Sequence, residues 1–391
     1  MILGVPKESY PGERRVALVP VVIPNLTKVG FEVVVESGAG AGAGYPDALY
    51  TDKGAKILPD RAAVFAQAEI VVQVLCYGSN DITGKADVPL MRRGQALIGF
   101  LRPLGSLEVI QQIAQTGVTS FAVELMPRTT RAQNMDALSS MATICGYKAV
   151  LLAGVTLPKI FPMLTTAAGT ITPARVFVIG AGVAGLQAIA TARRLGAVVS
   201  AYDMRPAAKE QVQSLGGRFV ELPIEAKDAQ DARGYGTAQD ESFYAKQREL
   251  LGRAVAESDV VITTAVVPGK KAPVLITADM VKQMAPGSVI VDLAAERGGN
   301  CELTQEGKIV VEDDVQIIGQ INLASEVPYH ASQMYARNLT AFLTYVVKDG
   351  KLRVDSGDEI IRETMLTREG EIVNARVREF FKLPALVTGS R

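Results

Sequence analysis

The sequence lacks tryptophan and net charge, and it contains only one histidine and three cysteines. Its 41 basic and 41 acidic side chains balance, which argues against a general binder of nucleic acid or of anionic membranes. We expect the cysteines to be reduced thiols in packing roles, without a disulfide or a zinc site, because Cys76, Cys145 and Cys301 are far apart and form no C-x-x-C pair. We expect His330 to be a structural or surface residue, and we expect no metal site.

Long apolar runs are missing too. No uninterrupted run reaches the ~20 residues that a membrane span needs, and the charge-free run 176–192 is shorter. Lys7 and Glu8 come so early that we expect no signal peptide. With 391 residues, of which 48% are apolar and 36 are glycine, the chain has the composition of a globular α/β protein with two domains.

The stretch from 175 to 205 carries the clearest pattern. Residues 176–179 are apolar and β-branched, as in a buried parallel strand, and residues 183–195 have helical periodicity. Between them, three glycines follow the G-x-G-x-x-G spacing. Gly180 permits a tight turn, Gly182 lets the backbone approach a pyrophosphate, and Gly185 lets the helix pack against the strand. The helix start offers free N–H groups and a partial positive charge to phosphates.

A second strand, 198–202, ends on Asp203, which lies 18 residues after Gly185 and can accept hydrogen bonds from an adenosine ribose. Asp203 would repel a 2′-phosphate, which favours NAD(H), although Arg205 could meet such a phosphate. The alternative is a tight strand–helix turn that binds no ligand. The residues expected to touch the dinucleotide here are Gly180, Gly182, Val183, Ala184, Gly185, Asp203, Met204 and Arg205.

Strand and helix patterns alternate on both sides of this stretch. They predict an α/β fold with two Rossmann-like domains, whose parallel sheets are covered on both faces and which are joined by long helices at 136–157 and 326–347, with a cleft between them. We expect residues 1–137 plus 326–391 to form one domain and residues 138–325 to form the cofactor domain. The strand candidates outside the fingerprint are 2–5, 31–36, 70–75, 96–100, 119–125, 219–222, 260–265, 289–293 and 315–318.

Polar segments follow several of these strands, where open α/β sheets place their ligands. Residues 6–18 form a charged segment that is either a ligand loop or a solvated surface loop. Residues 124–140 are dense in donors and acceptors that could bind a carboxamide or ribose hydroxyls. Within them, Asp136 could equally be a helix N-cap and Arg131 a surface charge. The candidates in this segment are Arg128, Gln133, Asp136 and Ser139.

Three further segments are candidates. Residues 262–269 have small side chains that let the backbone approach a ring or ribose, and Thr264, Ala265 and Pro268 are the expected contacts. Residues 291–300 likewise begin at the end of a predicted strand and continue with polar residues. Tyr235 lies in the polar insertion 223–251, a mobile functional loop or plain disorder, and it could close over a cofactor or be an exposed loop tyrosine. The glycine-rich run 37–44 has no helix after it, so we expect a flexible surface loop.

Taken together, these segments resemble the NAD(H)-binding first domain of proton-translocating nicotinamide nucleotide transhydrogenase, with alanine dehydrogenase as a more distant relative. The resemblance covers nearly the whole chain. Its motifs are Pro6-Lys-Glu with Arg15-Val-Ala, Met126-Pro-Arg with Arg131-Ala-Gln and Met135-Asp-Ala-Leu-Ser-Ser, Ala167-Ala-Gly-Thr, Gly182-Val-Ala-Gly-Leu-Gln-Ala, Thr263-Thr-Ala with Pro268-Gly, and Gly298-Gly-Asn-Cys301.

The resemblance implies direct hydride transfer from NADH bound here to NADP⁺ on a partner domain, coupled to proton movement through membrane-spanning partners. It implies a Re/Si-specific NAD(P)⁺ transhydrogenase that is active only with its partner subunits, a homodimer of this chain, and a cytoplasmic place at the inner membrane. Arg128 and Ser139 would hold the carboxamide and its surroundings, and Gln133 would lie where the NADP(H) ribose arrives. Asp136 belongs to the same loop, and Tyr235 matches the mobile-loop tyrosine, although its neighbours differ here.

Two rival functions remain open. A stand-alone alanine dehydrogenase needs proton chemistry at its substrate, and the lysine and histidine that such enzymes use fall near Gln73 and Arg102 in this chain. Neither of these side chains can serve as a general acid or base near neutral pH. Direct exchange between two nicotinamides needs positioning groups rather than such an acid or base. The other rival is a non-catalytic NAD sensor.

Overall fold

A computed structural model describes residues 1–221, 239–384 and 386, and the chain divides into two compact units. Unit 1 combines residues 1–141 with the residues from 325 onward, and unit 2 comprises residues 142–324. The predicted assignment of the cofactor to residues 138–325, and the predicted cleft, stay predictions.

The described strands, in chain order, are β1 (Ile2–Val5), β2 (Glu32–Glu36), β3 (Lys56–Leu58), β4 (Ile70–Leu75), β5 (Ala96–Phe100), β6 (Thr119–Ala122), β7 (Leu164–Thr166), β8 (Gly169–Ile171), β9 (Arg175–Ile179), β10 (Val198–Tyr202), β11 (Arg218–Phe219), β12 (Val260–Thr263), β13 (Val289–Asp292), β14 (Ile309–Glu312), β15 (Val315–Ile318), β16 (Val347–Lys348), β17 (Lys351–Leu352), β18 (Met365–Arg368) and β19 (Glu371–Ile372).

The described α-helices are α1 (Ile23–Lys28), α2 (Asp47–Thr51), α3 (Arg61–Gln67), α4 (Leu107–Gln115), α5 (Ala137–Thr156), α6 (Val183–Arg194), α7 (Ala208–Ser214), α8 (Glu241–Ala256), α9 (Ala278–Val281), α10 (Pro328–Val346), α11 (Glu359–Thr364) and α12 (Ala375–Phe380). Short 3-10 helices cover Pro20–Val22, Ala41–Ala43, Gly84–Leu90, Val123–Leu125, Thr130–Met135, Ala295–Arg297 and Leu323–Glu326.

Unit 1 is built on an eight-stranded sheet in the order β19-β18-β6-β5-β4-β1-β2-β3. The six strands from β6 to β3 are parallel, and the central ones are buried on both faces, which explains their continuous apolar sequences. Helix α3 lies so close to β1 that a Cβ on Gly4 would be 2.6 Å from the Cβ of Ala68. The side chain of Asp60 caps α3, and that of Ser106 caps α4.

Unit 2 is built on a seven-stranded sheet in the order β11-β10-β9-β12-β13-β15-β14. Its strands are parallel except for β14, which pairs antiparallel with β15 at the edge. The buried side chains of β9, β12 and β13 form the core with α6 and with Ala149, Val150 and Ala153 of α5. β9 lies between β10 and β12, so the strand order reverses at the end of β9.

The predicted α/β class with parallel sheets is confirmed, and one edge of each sheet adds antiparallel strands. β18 and β19 come from the tail of the chain and pair antiparallel with β6 and with each other. They are joined by a turn in which Glu369 and Gly370 both have positive φ. The strand predicted for 119–125 ends at Ala122, because the chain turns into a 3-10 helix.

Helix α5 is long and apolar enough to cross a membrane by length and composition. This is weak support for a span, because the core helix of a folded domain passes the same test. Ala149, Val150 and Ala153 of α5 are fully buried in the unit 2 core, and Lys148 interrupts its apolar sequence.

Two loop predictions are wrong for part of their residues. The glycine-rich run 37–44 is not simply a surface loop, because Ala39 and Ala43 are buried and a Cβ on Gly40 would lie 2.6 Å from the Tyr50 hydroxyl. The insertion 223–251 does not stay irregular to its end. From Asp240, whose side chain caps the helix by accepting from the N–H of Phe243, the chain forms α8.

Candidate nucleotide-binding site

The carboxyl ends of three neighbouring strands in unit 2 finish in register. Ile179 of β9 pairs with Tyr202 of β10 on one side and with Thr263 of β12 on the other. The next residues therefore leave the sheet at the same edge. They begin the glycine-rich turn, the Asp203 segment and the Thr264 segment, and three of the segments predicted from the sequence are thus brought to one place.

The three glycines of the motif occupy positions with different geometry. Gly180 has φ +98°, and a Cβ there would lie 2.4 Å from the Thr264 hydroxyl oxygen. A Cβ on Gly185 would lie 1.8 Å from the Gly180 carbonyl oxygen, so only glycine allows α6 to start this close to β9. A Cβ on Gly182 would meet no described atom within 4 Å, which leaves the space beside this residue open.

Helix α6 begins at Val183 with Gly182 as its N-cap, and no described side chain caps it. The side chains of Val183 and Ala184 are partly exposed. The first-turn N–H groups and the positive end of the helix dipole are therefore available to an anion at the end of β9.

The position of α6 depends on a glycine that the sequence analysis did not select. A Cβ on Gly146 of α5 would lie 2.1 Å from the carbonyl oxygen of Ala184. The backbones of α5 and α6 therefore meet directly at the first turn of α6. The only sequence signal is a glycine inside a helix, where it costs roughly 1 kcal/mol relative to alanine.

Asp203 is buried, and Ala181 and Arg205 donate hydrogen bonds to its carboxylate. The N–H of Ala181 donates to Oδ2 at 2.7 Å, which ties the carboxylate to the glycine-rich turn. Arg205 donates from its backbone N–H and its Nε to Oδ1, at 2.8 and 2.9 Å, and from Nη2 to Oδ2 at 2.8 Å. This ion pair raises the pKa of Arg205. The predicted ribose acceptor is thus paired with the residue expected to attract a 2′-phosphate, and Met204 lies partly exposed between them.

The third segment of this edge is fixed from behind. The Thr264 hydroxyl donates to the Gly180 carbonyl oxygen at 3.0 Å, and the side-chain amide of Asn300 contacts the backbone of Ala265. Thr264, Ala265 and Pro268 are partly exposed, as expected for residues that could meet a ligand. Asn300 and Asp292, which supports it, were not selected from the sequence, although both lie in the predicted polar segment 291–300.

In unit 1, the predicted segment 124–140 runs from the end of β6 into α5. Arg128 and Gln133 are exposed, and the 3-10 helix Thr130–Met135, which contains Gln133, is anchored by buried Ala132 and Met135. The Asp136 carboxylate accepts from the Ser139 N–H at 2.9 Å and from its hydroxyl at 2.5 Å. The capping geometry considered for Asp136 is therefore present, and it also orients Ser139.

Arg131 and Tyr235 are the remaining candidates. Arg131 is exposed, and its guanidinium lies 5.8 Å from the centre of the Tyr345 ring. Tyr235 lies outside the described residues. Across residues 1–221, 239–384 and 386, no group of three His, Cys, Asp or Glu side chains is arranged to hold a metal ion.

In the charged segment 6–18, residues 7, 9, 11, 12 and 14 are exposed, whereas Glu8 and residues 15–18 are buried. Arg15 is 4% exposed, and its Nε and Nη2 donate to the two carboxylate oxygens of Glu13 at 2.8 and 2.6 Å. Glu8 is also buried, and it accepts from the N–H groups of Val74 and Leu75 at the end of β4. The buried residues of the segment therefore belong to the unit 1 interior, while the others meet solvent.

Burial, reinforced by the charge of Glu13, raises the pKa of Glu8 from 4.5 to about 8. Glu8 is then protonated in the folded protein at pH 7 but ionised in the unfolded chain. The proton stabilises the folded state fully below about pH 4.5, and this stabilisation is lost as the pH rises through about 8. We expect Glu8 to make the free energy of unfolding, measured with urea, roughly 2–3 kcal/mol lower at pH 9 than at pH 6.

The variant Glu8→Gln, which keeps a carbonyl acceptor but cannot ionise, should lose this pH dependence and should be the more stable protein at pH 9. The matched control is Glu32→Gln, at an exposed glutamate of β2, which should keep the wild-type pH profile. A profile for Glu8→Gln that still falls like that of the wild type would show that Glu8 is not the group responsible.

Comparison with known proteins gives a consistent result. Two family models match the chain: "Alanine dehydrogenase/PNT, N-terminal domain" over residues 4–145 and "Alanine dehydrogenase/PNT, C-terminal domain" over residues 149–375. The chain is 48% identical over 377 residues to the first of the parts that form the NAD(P) transhydrogenase alpha subunit of Rhodospirillum rubrum, covering 96% of this chain and 98% of that protein.

Two solved structures are similar over almost the whole chain. A transhydrogenase structure from Sinorhizobium meliloti superposes with a TM-score of 0.82 at 42% identity, covering 96% of this chain and 100% of that one. An L-alanine dehydrogenase structure gives a TM-score of 0.81 at 26% identity, covering 98% of this chain and 99% of that one. The resemblance stated from the sequence motifs, including the more distant likeness to alanine dehydrogenase, is confirmed.

Proposed function

Since the chain belongs to the alanine dehydrogenase/PNT family, we propose that it is the NAD(H)-binding component of a proton-translocating NAD(P) transhydrogenase. The observation that carries the proposal is the 48% identity to a transhydrogenase alpha-subunit protein over 96% of this chain. The name of that relative describes it as one portion of an alpha subunit, which implies further portions, so the active enzyme contains partner chains.

NAD(H) occupies the carboxyl edge of the unit 2 sheet. Its pyrophosphate lies against Gly182 and the uncapped start of α6, where N–H groups and the helix dipole favour negative charge. Asp203 receives the adenosine ribose. The carboxylate disfavours a 2′-phosphate, which supports NAD(H) rather than NADP(H) as the nucleotide of this chain.

The reaction is direct transfer of a hydride from C4 of the NADH nicotinamide to C4 of the NADP⁺ nicotinamide on a partner domain. No proton moves at the reacting carbons, so this chain has to position the ring rather than supply an acid or a base. Arg128 and Ser139 hold the carboxamide and its surroundings, and Gln133 faces the incoming NADP(H) ribose. Asp136 fixes the orientation of Ser139 through two hydrogen bonds.

The side chains at the positions where alanine dehydrogenases use a lysine and a histidine support this choice. Gln73 is buried, and its amide donates to Asp87 at 3.2 Å, while Arg102 lies 3.8 Å from Asp81 at the surface. The only histidine, His330, is exposed on α10 beside Tyr329. Neither Gln73 nor Arg102 offers the proton chemistry that reductive amination of a keto acid needs.

The test uses NADH deuterated at the transferred position of C4. Mixed with a separately purified NADP(H)-binding domain of a transhydrogenase and NADP⁺, the chain should produce NADPH that carries the deuterium, as detected by mass spectrometry. Omission of either protein should abolish transfer. Tight NADH binding without any transfer would instead support a sensor, and NADH oxidation with pyruvate and ammonium at an ordinary dehydrogenase rate would support an amino-acid dehydrogenase.

The enzyme's proton movement requires membrane-spanning partners, so the chain lies at the cytoplasmic face of the inner membrane, bound to them. Cell fractionation tests this directly. Expressed with its membrane partners, the chain should sediment with membranes, and expressed alone it should stay in the supernatant. Sedimentation of the chain without its partners would contradict the proposal.

The chain forms a homodimer through unit 2. Exposed apolar side chains are concentrated between the end of α5 and the β7–β8 hairpin, with Val155 88%, Met163 62% and Ile171 49% exposed. Apolar clusters of this kind mark interaction surfaces. We expect the double variant Val155→Glu/Met163→Glu to shift the mass measured by light scattering from that of a dimer to that of a monomer.

The matched control is Val21→Glu in unit 1, a valine that is 57% exposed and lies in a different region of the chain. This variant should remain dimeric at the same concentration. A wild-type protein that is monomeric at tens of micromolar, or a double variant that stays dimeric, would rule out this surface.

A further inference from the structure

Asp292, the last residue of β13, is a fully buried carboxylate that receives five hydrogen bonds. Its Oδ1 accepts from the Thr263 hydroxyl at 2.8 Å and from the Ala294 N–H at 2.9 Å. Its Oδ2 accepts from the N–H groups of Asn300 and Cys301, at 2.7 and 3.1 Å, and from the Thr304 hydroxyl at 2.7 Å. One carboxylate thus joins the end of β12 to the loop that follows β13.

The glycine pair before Asn300 allows this loop to wrap around the carboxylate. Gly298 and Gly299 have φ of +90° and +80°, and a Cβ on Gly299 would lie 2.8 Å from Oδ2 of Asp292. The loop is therefore shaped around Asp292, which in turn fixes the backbone of Asn300 in one place.

The Asn300 side chain reaches from this loop to the nucleotide edge. Its Oδ1 accepts from the Ala265 N–H at 2.9 Å, and its Nδ2 donates to the carbonyl oxygens of Ala265 and Pro273, both at 2.8 Å. Both polar groups of Ala265 are thus held by one amide. Thr264, the preceding residue, contacts the glycine-rich turn through its hydroxyl.

The topology indicates which half of the nucleotide this segment faces. Because the strand order reverses at β9, a dinucleotide whose pyrophosphate lies at the end of β9 extends over β10 on one side and over β12 on the other. Asp203 follows β10 and marks the adenosine side. Ala265 follows β12 and therefore lies on the nicotinamide side.

We propose that Asn300, held by Asp292, is a positioning residue that fixes the Thr264–Ala265 backbone for the nicotinamide half of the bound nucleotide. The proposal rests on the proposed NAD(H) site. It assigns to the segment 291–300 the task of holding the surface against which the nicotinamide ribose and ring are placed. It also separates the two halves of the site, because the adenosine half is built by Asp203 and the glycine-rich turn.

The test is the variant Asn300→Asp, which keeps the size of the side chain but places a carboxylate oxygen against the carbonyl oxygens of Ala265 and Pro273. Calorimetry with NADH and with 5′-AMP, which has only the adenosine half, separates the two halves of the site. We expect the Kd for NADH to rise at least tenfold and the Kd for AMP to change less than twofold. A purely structural role would weaken both ligands alike.

The chain offers a matched control in Asn374, a buried asparagine of unit 1 with the same bonding pattern. Its Nδ2 donates to the carbonyl oxygens of Glu363 and Met365, and its Oδ1 accepts from the Val377 N–H. Asn374→Asp introduces the same repulsion far along the chain from the nucleotide segments. It should lower the unfolding temperature while leaving both Kd values unchanged.

The outcomes separate this proposal from the proposed function. A wild-type protein that binds neither NADH nor AMP contradicts the NAD(H) site itself. A wild-type protein that binds NADH, with Asn300→Asp weakening NADH and AMP equally or not at all, overturns only the role of Asn300. If Asn300→Asp does not fold, Asn300→Ser, which is too short to reach the two carbonyls, is expected to give the same NADH-selective loss, and equal loss of both ligands there overturns the proposal.

Discussion

Replacement of Asp203 by alanine is expected to weaken NADH binding by about 1–3 kcal/mol, roughly 5- to 150-fold in Kd, and to strengthen NADPH binding at the same time. The first effect follows from the loss of the ribose acceptor. The second follows from the ion pair, because Arg205 directs its Nε and Nη2 at the Asp203 carboxylate. Without Asp203, the guanidinium is released next to the ribose and can bind a 2′-phosphate.

The measurement is calorimetric titration of NADH and NADPH into the wild type and the variants. The double variant Asp203→Ala/Arg205→Ala should bind NADH as weakly as the single variant and should lose the gain in NADPH affinity. A double variant that binds NADPH as well as the single variant does would show that Arg205 is not the group that meets the phosphate.

Asp203 also supports the turn, since it accepts the Ala181 N–H at 2.7 Å. Asp203→Asn serves as the control for this contact, because an amide oxygen can still accept from Ala181 while the negative charge is gone. We expect Asp203→Asn to bind NADPH more tightly than the wild type does, as Asp203→Ala should. Its loss of folding stability should be smaller than that of Asp203→Ala. Unchanged affinities for both nucleotides in both variants would remove Asp203 from the site.

Gly182→Ala and Gly185→Ala are both expected to weaken NADH binding, but for different physical reasons. Gly182→Ala should weaken NADH binding at least ~10-fold while the unfolding temperature stays within about 2 °C of the wild type. The reason is that the added methyl group meets no described atom within 4 Å in the protein but lies where the pyrophosphate approaches. The backbone of Gly182, with φ −77° and ψ −167°, is one that alanine can adopt.

Gly185→Ala should lower the unfolding temperature by several degrees and abolish measurable NADH binding. Its Cβ would lie 1.8 Å from the Gly180 carbonyl oxygen, a backbone atom that cannot move without opening the turn. Such a clash in a buried position belongs to the substitutions that cost several kcal/mol.

The pair is measured by thermal unfolding and NADH titration of the same samples. Gly252→Ala in α8 is the control, because its Cβ would also meet no described atom and because alanine favours a helix over glycine. It should leave the Kd for NADH unchanged and raise the unfolding temperature slightly. If Gly182→Ala binds NADH like the wild type, the pyrophosphate does not pass beside Gly182.

The elements of the fold that the sequence predicts well are those that local pattern determines. The limits of β1, β4, β5 and β10 are correct to the residue, because each is a short apolar run bounded by turn residues. Helix α8 was missed because its buried stripe of Gln247, Leu251 and Val255 begins with a polar residue. Gln247 is buried because its amide donates to the Tyr202 hydroxyl, a tertiary contact that no local pattern contains.

The features of the candidate site likewise divide into those that local sequence determines and those that depend on tertiary packing. The glycine spacing and the acid at the end of β10 are visible in the sequence because the turn and the strand end are local. The pairing of Asp203 with Arg205 depends on side-chain orientation. The hydrogen bonds between Asn300 and Ala265 join residues that are 35 positions apart. Gly146 contacts Ala184 only because two helices cross there. Such features follow from packing and cannot be derived from spacing.

The eight-stranded sheet also constrains the order in which a growing chain can fold. Its β6 edge is completed by β18, where the hydroxyls of Ser120 and Thr367 meet at 2.6 Å across 247 residues of sequence. Until the ribosome has released that distant partner, β6 exposes unpaired backbone groups that invite aggregation. Unit 2, whose strands all lie within residues 142–324, can close earlier. During synthesis, the middle of the polypeptide can therefore fold before its beginning does.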